Sequence, residues 1–536
     1  MPETSKVKKS IVLSGLVGTG GLFVAKMIGI LYAIPFSSIL QNVAYQGYYG
    51  QAYNIYSYVL NVFTAGFPFA IATMVAKYTV MEDAKTVLLI KKISISMLAL
   101  MGFVGMVLMM AFAGWLAPLM VAGDGAIMAN VLRLLSIALF FVPVLSGFRG
   151  YYQGLKEMEE YAFSQVFEQI FRVGFLLSVS CLIVFVLGME RRWALYASVL
   201  STSIAAIAGL LQIFHFDKKH KKEIEAKANF QQEAALERNE LIKELVILAI
   251  PYMVMAILGY SQQIYNAILL PAGLKMFYPN KEIIDNIISA TTYVGVKMTA
   301  IPMVLAPGFT AAIIPHITSA LIEEDRPLIR KNVVDCLNVV LYIGLPISFC
   351  LFVYANPINY TLFYTDDLAT SSMVLSWLTI EAITGTFMPM VTNMMMALRL
   401  KQTMLRNLVI NVILKGILMV PLTATLGFAG AVLAALISDG YLIAICLYKI
   451  SKEYQVEYKS SLIILIKVII GCLGLWVTSF LLSKLGLSGV DGRKLICFIQ
   501  MCANGLISLA VFIAITVALK VPQTAFHIRI GRKKAQ

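Results

Sequence analysis

Long apolar runs, separated by short polar loops, repeat from one end of the chain to the other. A bilayer crossing needs about 20 apolar residues. Runs of that size fall near 11–36, 48–76, 93–118, 126–150, 160–187, 193–214, 244–271, 286–316, 332–355, 368–397, 403–425, 428–449, 460–483 and 495–519. The pattern predicts an all-α polytopic membrane protein with 14 transmembrane helices and no separate soluble domain. The run from Ile11 to Phe36 is too long for a signal-peptide core and has no obvious cleavage site, so it is expected to stay as the first span.

Weak internal similarity organises these spans. Ala65-Gly66-Phe67-Pro68 in the second span has a counterpart in Ala306-Pro307-Gly308-Phe309 of the eighth. Glu168 and Arg172, four apart in the fifth span, are matched by Asn411 and Lys415, four apart in the eleventh. The common shift predicts a duplicated six-helix unit whose copies share one orientation. Residues 1–214 then form an N-terminal lobe of helices 1–6, and 215–243 an amphipathic linker. Residues 244–450 form a C-terminal lobe of helices 7–12, and 451–536 hold helices 13–14 and a basic tail. Gly66, Pro68, Pro307 and Gly308 are candidate helix breaks lining a cavity, with tolerated packing kinks as the alternative.

Charge orients the chain. Lysine and arginine concentrate in alternate loops, including Lys77 to Lys92, Lys218 to Lys243, Arg326 to Lys331 and Arg399 to Arg406, and in the tail from Arg529 to Lys534. The positive-inside rule puts these loops and both termini in the cytoplasm. Only 13% of the 536 residues are charged, against 59% hydrophobic; a soluble domain carries roughly 25% charge. The formal net charge of +14 sits in short loops, which favours anionic lipid over nucleic acid as its partner. The seven cysteines lie in or beside apolar segments without paired spacing, and read as packing residues rather than metal ligands or disulfides.

The informative residues are charges inside the spans, where an ionised side chain costs roughly 2.5–3.5 kcal/mol on insertion scales. Lys26 and Lys297 stand at comparable depth, roughly 24 and 30 Å from the basic ends of the first and eighth spans at 1.5 Å per residue. Neither has an acid within a helical turn. Together they suggest a cationic cavity for a phosphate-bearing substrate. Glu168 and Arg172 read as a neutralising i, i+4 pair or as a gate. Glu381 and Lys415 fall at similar depth in consecutive antiparallel spans, as an interhelical ion pair. The sharper alternative makes Glu381 a coupling-ion carboxylate, with Asn407, Asn411 and Asp439 as further oxygen ligands for Na⁺. Tyr45, Tyr48, Tyr49, Tyr53, Tyr56 and Tyr58 are expected in an interfacial belt, with sugar stacking open to one or two.

Catalytic motifs are missing. There is no Walker A loop, GxSxG or HExxH, and the four histidines are scattered. A transporter without a resident cofactor or metal is the expectation.

Three stretches carry a family resemblance. Lys26 to Phe36 includes Gly29, Tyr32 and Ile34-Pro35-Phe36, similar to a family pattern S-R-x-x-G-x-x-Y-x-I-P-F. Arg149-Gly150-Tyr151-Tyr152-Gln153-Gly154 resembles R-G-x-x-Q-G, and Ser164 to Arg172 resembles S-Q-x-x-E-Q-x-x-R. The chain thus resembles the MurJ-like lipid II flippases of Gram-positive bacteria, in the superfamily of multidrug, oligosaccharidyl-lipid and polysaccharide exporters. The resemblance implies fourteen helices, two lobes and a cationic cavity working by alternating access. It implies transport of an undecaprenyl-diphosphate-linked cell-wall precursor, lipid II first, across the bacterial plasma membrane for peptidoglycan synthesis. Lys26 and Lys297 stand where the family has arginines, and Tyr32 where Gram-negative relatives have another, so these three form the implied substrate-binding set. Implied partners are the lipid-linked saccharide, membrane lipids and cell-wall synthesis proteins; dependence on Na⁺ or the membrane potential stays open on the coupling-ion reading of Glu381. Export of another lipid-linked oligosaccharide, for capsule or teichoic polymers, is the first alternative. A cation-coupled drug antiporter is the second.

Overall fold

The computed structural model describes residues 24–526 apart from Lys26 and Ala234, and for 304–315 and a few linker positions it describes only the helical backbone. Among the described residues there is no strand, and twelve helices are long and apolar enough to cross a membrane. They correspond to the second to seventh and ninth to fourteenth apolar runs. The first run lies largely outside the described residues, leaving the apolar helix Met27–Leu40. The eighth is helical from Lys281 to Ile322. The chain is a multi-pass, all-α membrane protein. Its spans carry rows of large exposed apolar side chains, such as Leu100, Phe103, Phe112 and Trp115 on one helix, as a hydrocarbon solvent requires.

The described chain divides into two compact units. The first holds the residues up to Leu40 together with Tyr48–Ala267; the second holds Gln41–Gly47 and the chain from Ile268 onward. The seventh span, expected to open the second half, therefore packs with the first unit as far as Ala267.

In the first unit the helices are α1 (Ala33–Leu40), α2 (Val43–Thr64, from Tyr48 onward), α3 (Phe67–Val80), α4 (Ala84–Met120), α5 (Gly125–Ser136), α6 (Ala138–Gly154), α7 (Met158–Cys181), α8 (Arg191–Phe230) and α9 (Arg238–Gly259). The second span breaks between α2 and α3. Pro68 falls in the first turn of α3, where a missing N–H costs little. Gly66 lies flat against α9: a Cβ there would stand 2.3 Å from the Ala249 carbonyl oxygen. The break is thus also a close helix contact. Gly150 and Gly154, four apart on α6, bring that helix onto α3; a Cβ at either would lie 2.7 Å from the carbonyl oxygen of Pro68 or Ala72. Small residues at this spacing are how membrane helices approach closely. The glycines of the R-G-x-x-Q-G pattern are packing residues.

The sixth helix does not stop at the membrane. α8 runs 40 residues, about 60 Å at 1.5 Å per residue, and takes in the first half of the linker. Lys91 of α4 and the Tyr152 hydroxyl both bind Asp217 on this extension, Tyr152 at 2.5 Å.

The second unit contains α10 (Lys281–Ser289), α11 (Val296–Ile322), α12 (Arg326–Val353), α13 (Leu368–Ala397), α14 (Lys401–Leu426), α15 (Phe428–Tyr454), α16 (Lys459–Lys484) and α17 (Lys494–Ala518). Pro307 and Gly308 lie inside the continuous α11. The irregularity of this span comes earlier, in a π-helical turn over Ala290–Gly295. α14 and α15 meet in a tight hairpin at Gly427, whose φ of +62° favours a residue without Cβ. α16 and α17 pair closely, Gly471 lying against Phe512 and Thr516.

Candidate functional site

Each unit holds a charged cluster within its spans. In the first, α7 places Glu168 and Arg172 one turn apart, but they do not pair. Arg149, from the end of α6, takes Glu168: Nη2 lies 2.7 Å from Oε2. The same Nη2 donates to the Ser164 carbonyl at 2.9 Å. Both charged side chains are mostly buried, at 11% and 20% exposure. Breaking a buried pair of this kind costs about 3–5 kcal/mol. Arg149 was absent from the sequence-derived candidates. It sits near a span end, where a snorkelling reading is natural.

Arg172 turns instead into a nest of tyrosines. Its Nη2 donates to the Tyr49 hydroxyl at 3.1 Å and reaches that of Tyr32 at 3.5 Å. The two hydroxyls are 2.7 Å apart. The guanidinium carbon stands 4.9 Å from the Tyr53 ring centre and 5.7 Å from that of Tyr32. Tyr53 in turn bonds to Thr202 of α8. Cation–π contacts contribute about 0.5–2 kcal/mol, which offsets only part of the cost of a charge in hydrocarbon. Nε is buried without a hydrogen-bond partner. Tyr49 and Tyr56 are buried too, Tyr56 against the Tyr53 ring, so the expected interfacial belt is in part the lining of this nest; Tyr48 is buried elsewhere, accepting from the Asp124 N–H. The sequence signal was the spacing: 49, 53 and 56 share one helical face.

Lys26, the first-span candidate, lies outside the described residues. Lys297 is half-buried in the first turn of α11, directly after the π-helical turn. Thr291 and Thr292 of that turn donate back to the carbonyls of Ile287 and Ile288, at 2.7 and 2.8 Å.

The second cluster joins three helices of the second unit. Lys415 Nζ of α14 stands 3.5 Å from Glu381 Oε1 of α13 and 3.5 Å from Asp439 Oδ2 of α15. All three are largely buried, Lys415 at 6% exposure. The expected Glu381–Lys415 pair is present, and Asp439 shares it. Asn411 Nδ2 donates to Asp439 Oδ1 at 2.9 Å. Asn407 donates to the Thr403 carbonyl and accepts from the Tyr441 hydroxyl at 2.8 Å. Lys415 therefore stands between the two carboxylates, and the carboxylates exceed the ammonium by one formal charge. The cluster ties α13, α14 and α15 through one set of charges.

A third feature is a cavity of about 710 Å³ at the basic end of the first unit. Its lining includes Tyr152, Asp217, Lys221 and Lys227. Its charges are mixed and in part paired, Lys221 with Glu225; Tyr151 and Tyr152 of its lining follow closely on Arg149 of the first cluster.

A family model described as polysaccharide biosynthesis protein matches residues 11–321. The chain is 26% identical over 493 residues to the lipid II flippase MurJ of Bacillus subtilis strain 168, covering 87% of this chain and 88% of that one. Over 314 residues it is 22% identical to stage V sporulation protein B of the same organism, covering 58% and 59% of the two chains. Among solved structures, a lipid II flippase MurJ in an inward closed conformation superposes with a TM-score of 0.67 at 16% identity, covering 94% of this chain and 99% of that one. An inward-facing multidrug transporter of the MATE family gives 0.64 at 14%, covering 81% and 98%. At these identities the structural matches establish the fold.

Proposed function

The chain belongs to the polysaccharide biosynthesis protein family, and from that premise we propose that it carries a lipid-linked cell-wall precursor across the plasma membrane. The substrate is an undecaprenyl-diphosphate-linked saccharide, lipid II first, moved from the inner to the outer leaflet for peptidoglycan synthesis. The protein is a transporter and not an enzyme. The observation that carries this reading is similarity to the Bacillus subtilis lipid II flippase along 87% of the chain. Cations within the spans support it, because a diphosphate crossing hydrocarbon needs compensating charge. Lys26 and Lys297 hold the diphosphate as point charges, Tyr32 completes the implied binding set, and the lipid tail stays in the bilayer. Transport proceeds by alternating access.

The cluster of Glu381, Lys415 and Asp439 is the coupling element in this reading. Its excess negative charge is met by a cation, Na⁺ being the first to test, with Asn407 and Asn411 as neighbouring oxygen donors. Sensitivity to membrane potential follows from the same charge. Both termini face the cytoplasm, on the lysine and arginine bias of the loops; a cysteine probe at Asn280 then labels from outside and one at Asn229 does not. Cell-wall synthesis proteins are the natural partners downstream.

A second reading, export of another lipid-linked oligosaccharide, is favoured by the broad family description. The experiment is complementation of a bacterium depleted of its lipid II flippase. The wild-type chain restores growth, and Lys26→Ala and Lys297→Ala, inserted at normal levels, do not. Normal growth on both alanine variants removes the lysine mechanism. Failure of an abundant wild-type chain to complement favours the second reading.

A further inference from the structure

We propose that the cavity of about 710 Å³ in the first unit is a binding site for the headgroup of a zwitterionic phospholipid, which carries a primary ammonium and a phosphate on one ligand. The site is built at the ends of four spans. Its residues come from Thr79 to Val87 around the α3–α4 turn, from Tyr151 to Glu157 at the end of α6, and from the extension of α8 beginning at Phe216. That extension forms one wall and is tied at both ends. Asp217 takes Lys91 and the Tyr152 hydroxyl at one end. Just past the other, Gln231 accepts from the Lys85 N–H at 3.0 Å and donates to Asp83 Oδ1 at 2.8 Å. About 21 Å of chain lies between the two ties at 1.5 Å per residue. The space beneath is therefore preformed, and its volume suits a small ligand or a headgroup.

The lining narrows the ligand. Lys221 and Lys227 come from α8, and Glu82 and Glu157 from the turns that follow α3 and α6. Asp217 is already set against Lys91. Two cations on one wall and two carboxylates on the others give neither a bare anion nor a bare cation an excess of opposite charge. Lys221 is not committed elsewhere: its pair with Glu225 leaves the two side chains 47% and 41% exposed, and such a pair holds an ammonium only weakly. A phosphate at the lysines and an ammonium at the glutamates satisfy both sets. Much of the remaining surface is apolar, from Val87, Leu155 and Ile224. At its edge Phe230 is 87% exposed, and Val80 and Met81, between Thr79 and Glu82 of the lining, are 77% and 62% exposed. The shared chemistry is a phosphodiester bearing an amine, offered by an aminophospholipid and by its free headgroup. Apolar side chains exposed at the polar ends of spans select the source with acyl chains. The site stands whichever substrate the protein carries.

The test titrates the full chain in non-ionic detergent with phosphatidylethanolamine, phosphatidylglycerol or glycerophosphoethanolamine, and reads bound ligand by native mass spectrometry. Wild type binds phosphatidylethanolamine about fivefold or more tightly than phosphatidylglycerol, which has the phosphate without the ammonium, and than the chain-free headgroup. Glu82→Gln combined with Glu157→Gln removes the preference between the two lipids. Lys221→Gln combined with Lys227→Gln weakens phosphatidylethanolamine about fivefold. All four side chains are exposed, so their loss leaves the fold intact, which thermal unfolding checks. In the same scans phosphatidylethanolamine raises the unfolding temperature of wild type more than that of either double variant. Equal affinity of wild type for the two lipids overturns the site. So does a preference that survives the glutamate changes, or an affinity unchanged by the lysine changes. Free headgroup that binds as tightly as the lipid overturns the lipid as the ligand.

Discussion

At the scale of single residues, the decisive event is an exchange of partners. Glu168 and Arg172 have the spacing of a helical ion pair, yet Arg149 crosses from α6 to take the carboxylate. A salt bridge between helices is invisible to a rule about neighbours on one helix. A double-mutant cycle separates the two arrangements. Glu168→Gln and Arg149→Gln each lower stability, by about 3–5 kcal/mol for a buried pair left with one charge. The double variant recovers part of that loss. Thermal unfolding in detergent measures it; coupling of Glu168 to Arg172 and none to Arg149 contradicts the structure. The second cluster gives a parallel expectation. Lys415→Met leaves Glu381 and Asp439 facing each other without the ammonium and reduces the yield of folded protein. Adding Glu381→Gln restores some of it. A single variant as stable as wild type means that the cluster is not holding α13, α14 and α15 together.

At the scale of helices, the apolar runs were legible and their joints were not. Hydrocarbon thickness sets span length, so twelve of the expected spans appear among the described residues. Close contacts depend on which backbone faces which, and no periodicity reports that. The glycines of Arg149 to Gly154 therefore read as a family pattern and turned out to seat α6 on α3. Pro307 and Gly308 read as a break matching Gly66 and Pro68, but only the earlier pair lies at an interruption; in the second unit the irregularity is a π-helical turn earlier in the span. Substitution of the packing glycines tests this assignment. Gly154→Leu forces α6 away from the Ala72 carbonyl and lowers the unfolding temperature, overpacking costing about 1–3 kcal/mol. Gly174→Ala, with nothing within 4 Å of the added carbon, leaves it unchanged. Equal effects from the two changes would refute the packing role.

At the scale of the whole molecule, the duplicated pattern predicted two halves, and the chain forms two compact units. Their division differs from a cut after six helices: the seventh span packs with the first unit to Ala267, while Gln41–Gly47 belongs to the second. Helix count alone cannot locate such crossings. The candidate charges were legible because ionised residues in hydrocarbon are rare. Tyr49 and Tyr53 beside Arg172 read as interfacial, because aromatic clusters near span ends usually belong there; Tyr32 reads instead as part of the implied binding set. Transport as proposed is net movement of a lipid-linked cell-wall precursor to the outer leaflet. Its most direct measurement is depletion of this protein in its own cell, followed by leaflet-resolved quantification of each undecaprenyl-linked precursor. Lipid II accumulating on the inner leaflet and falling on the outer one, before growth stops, is the predicted result. An unchanged distribution of lipid II, with another lipid-linked saccharide retained inside or none at all, contradicts it.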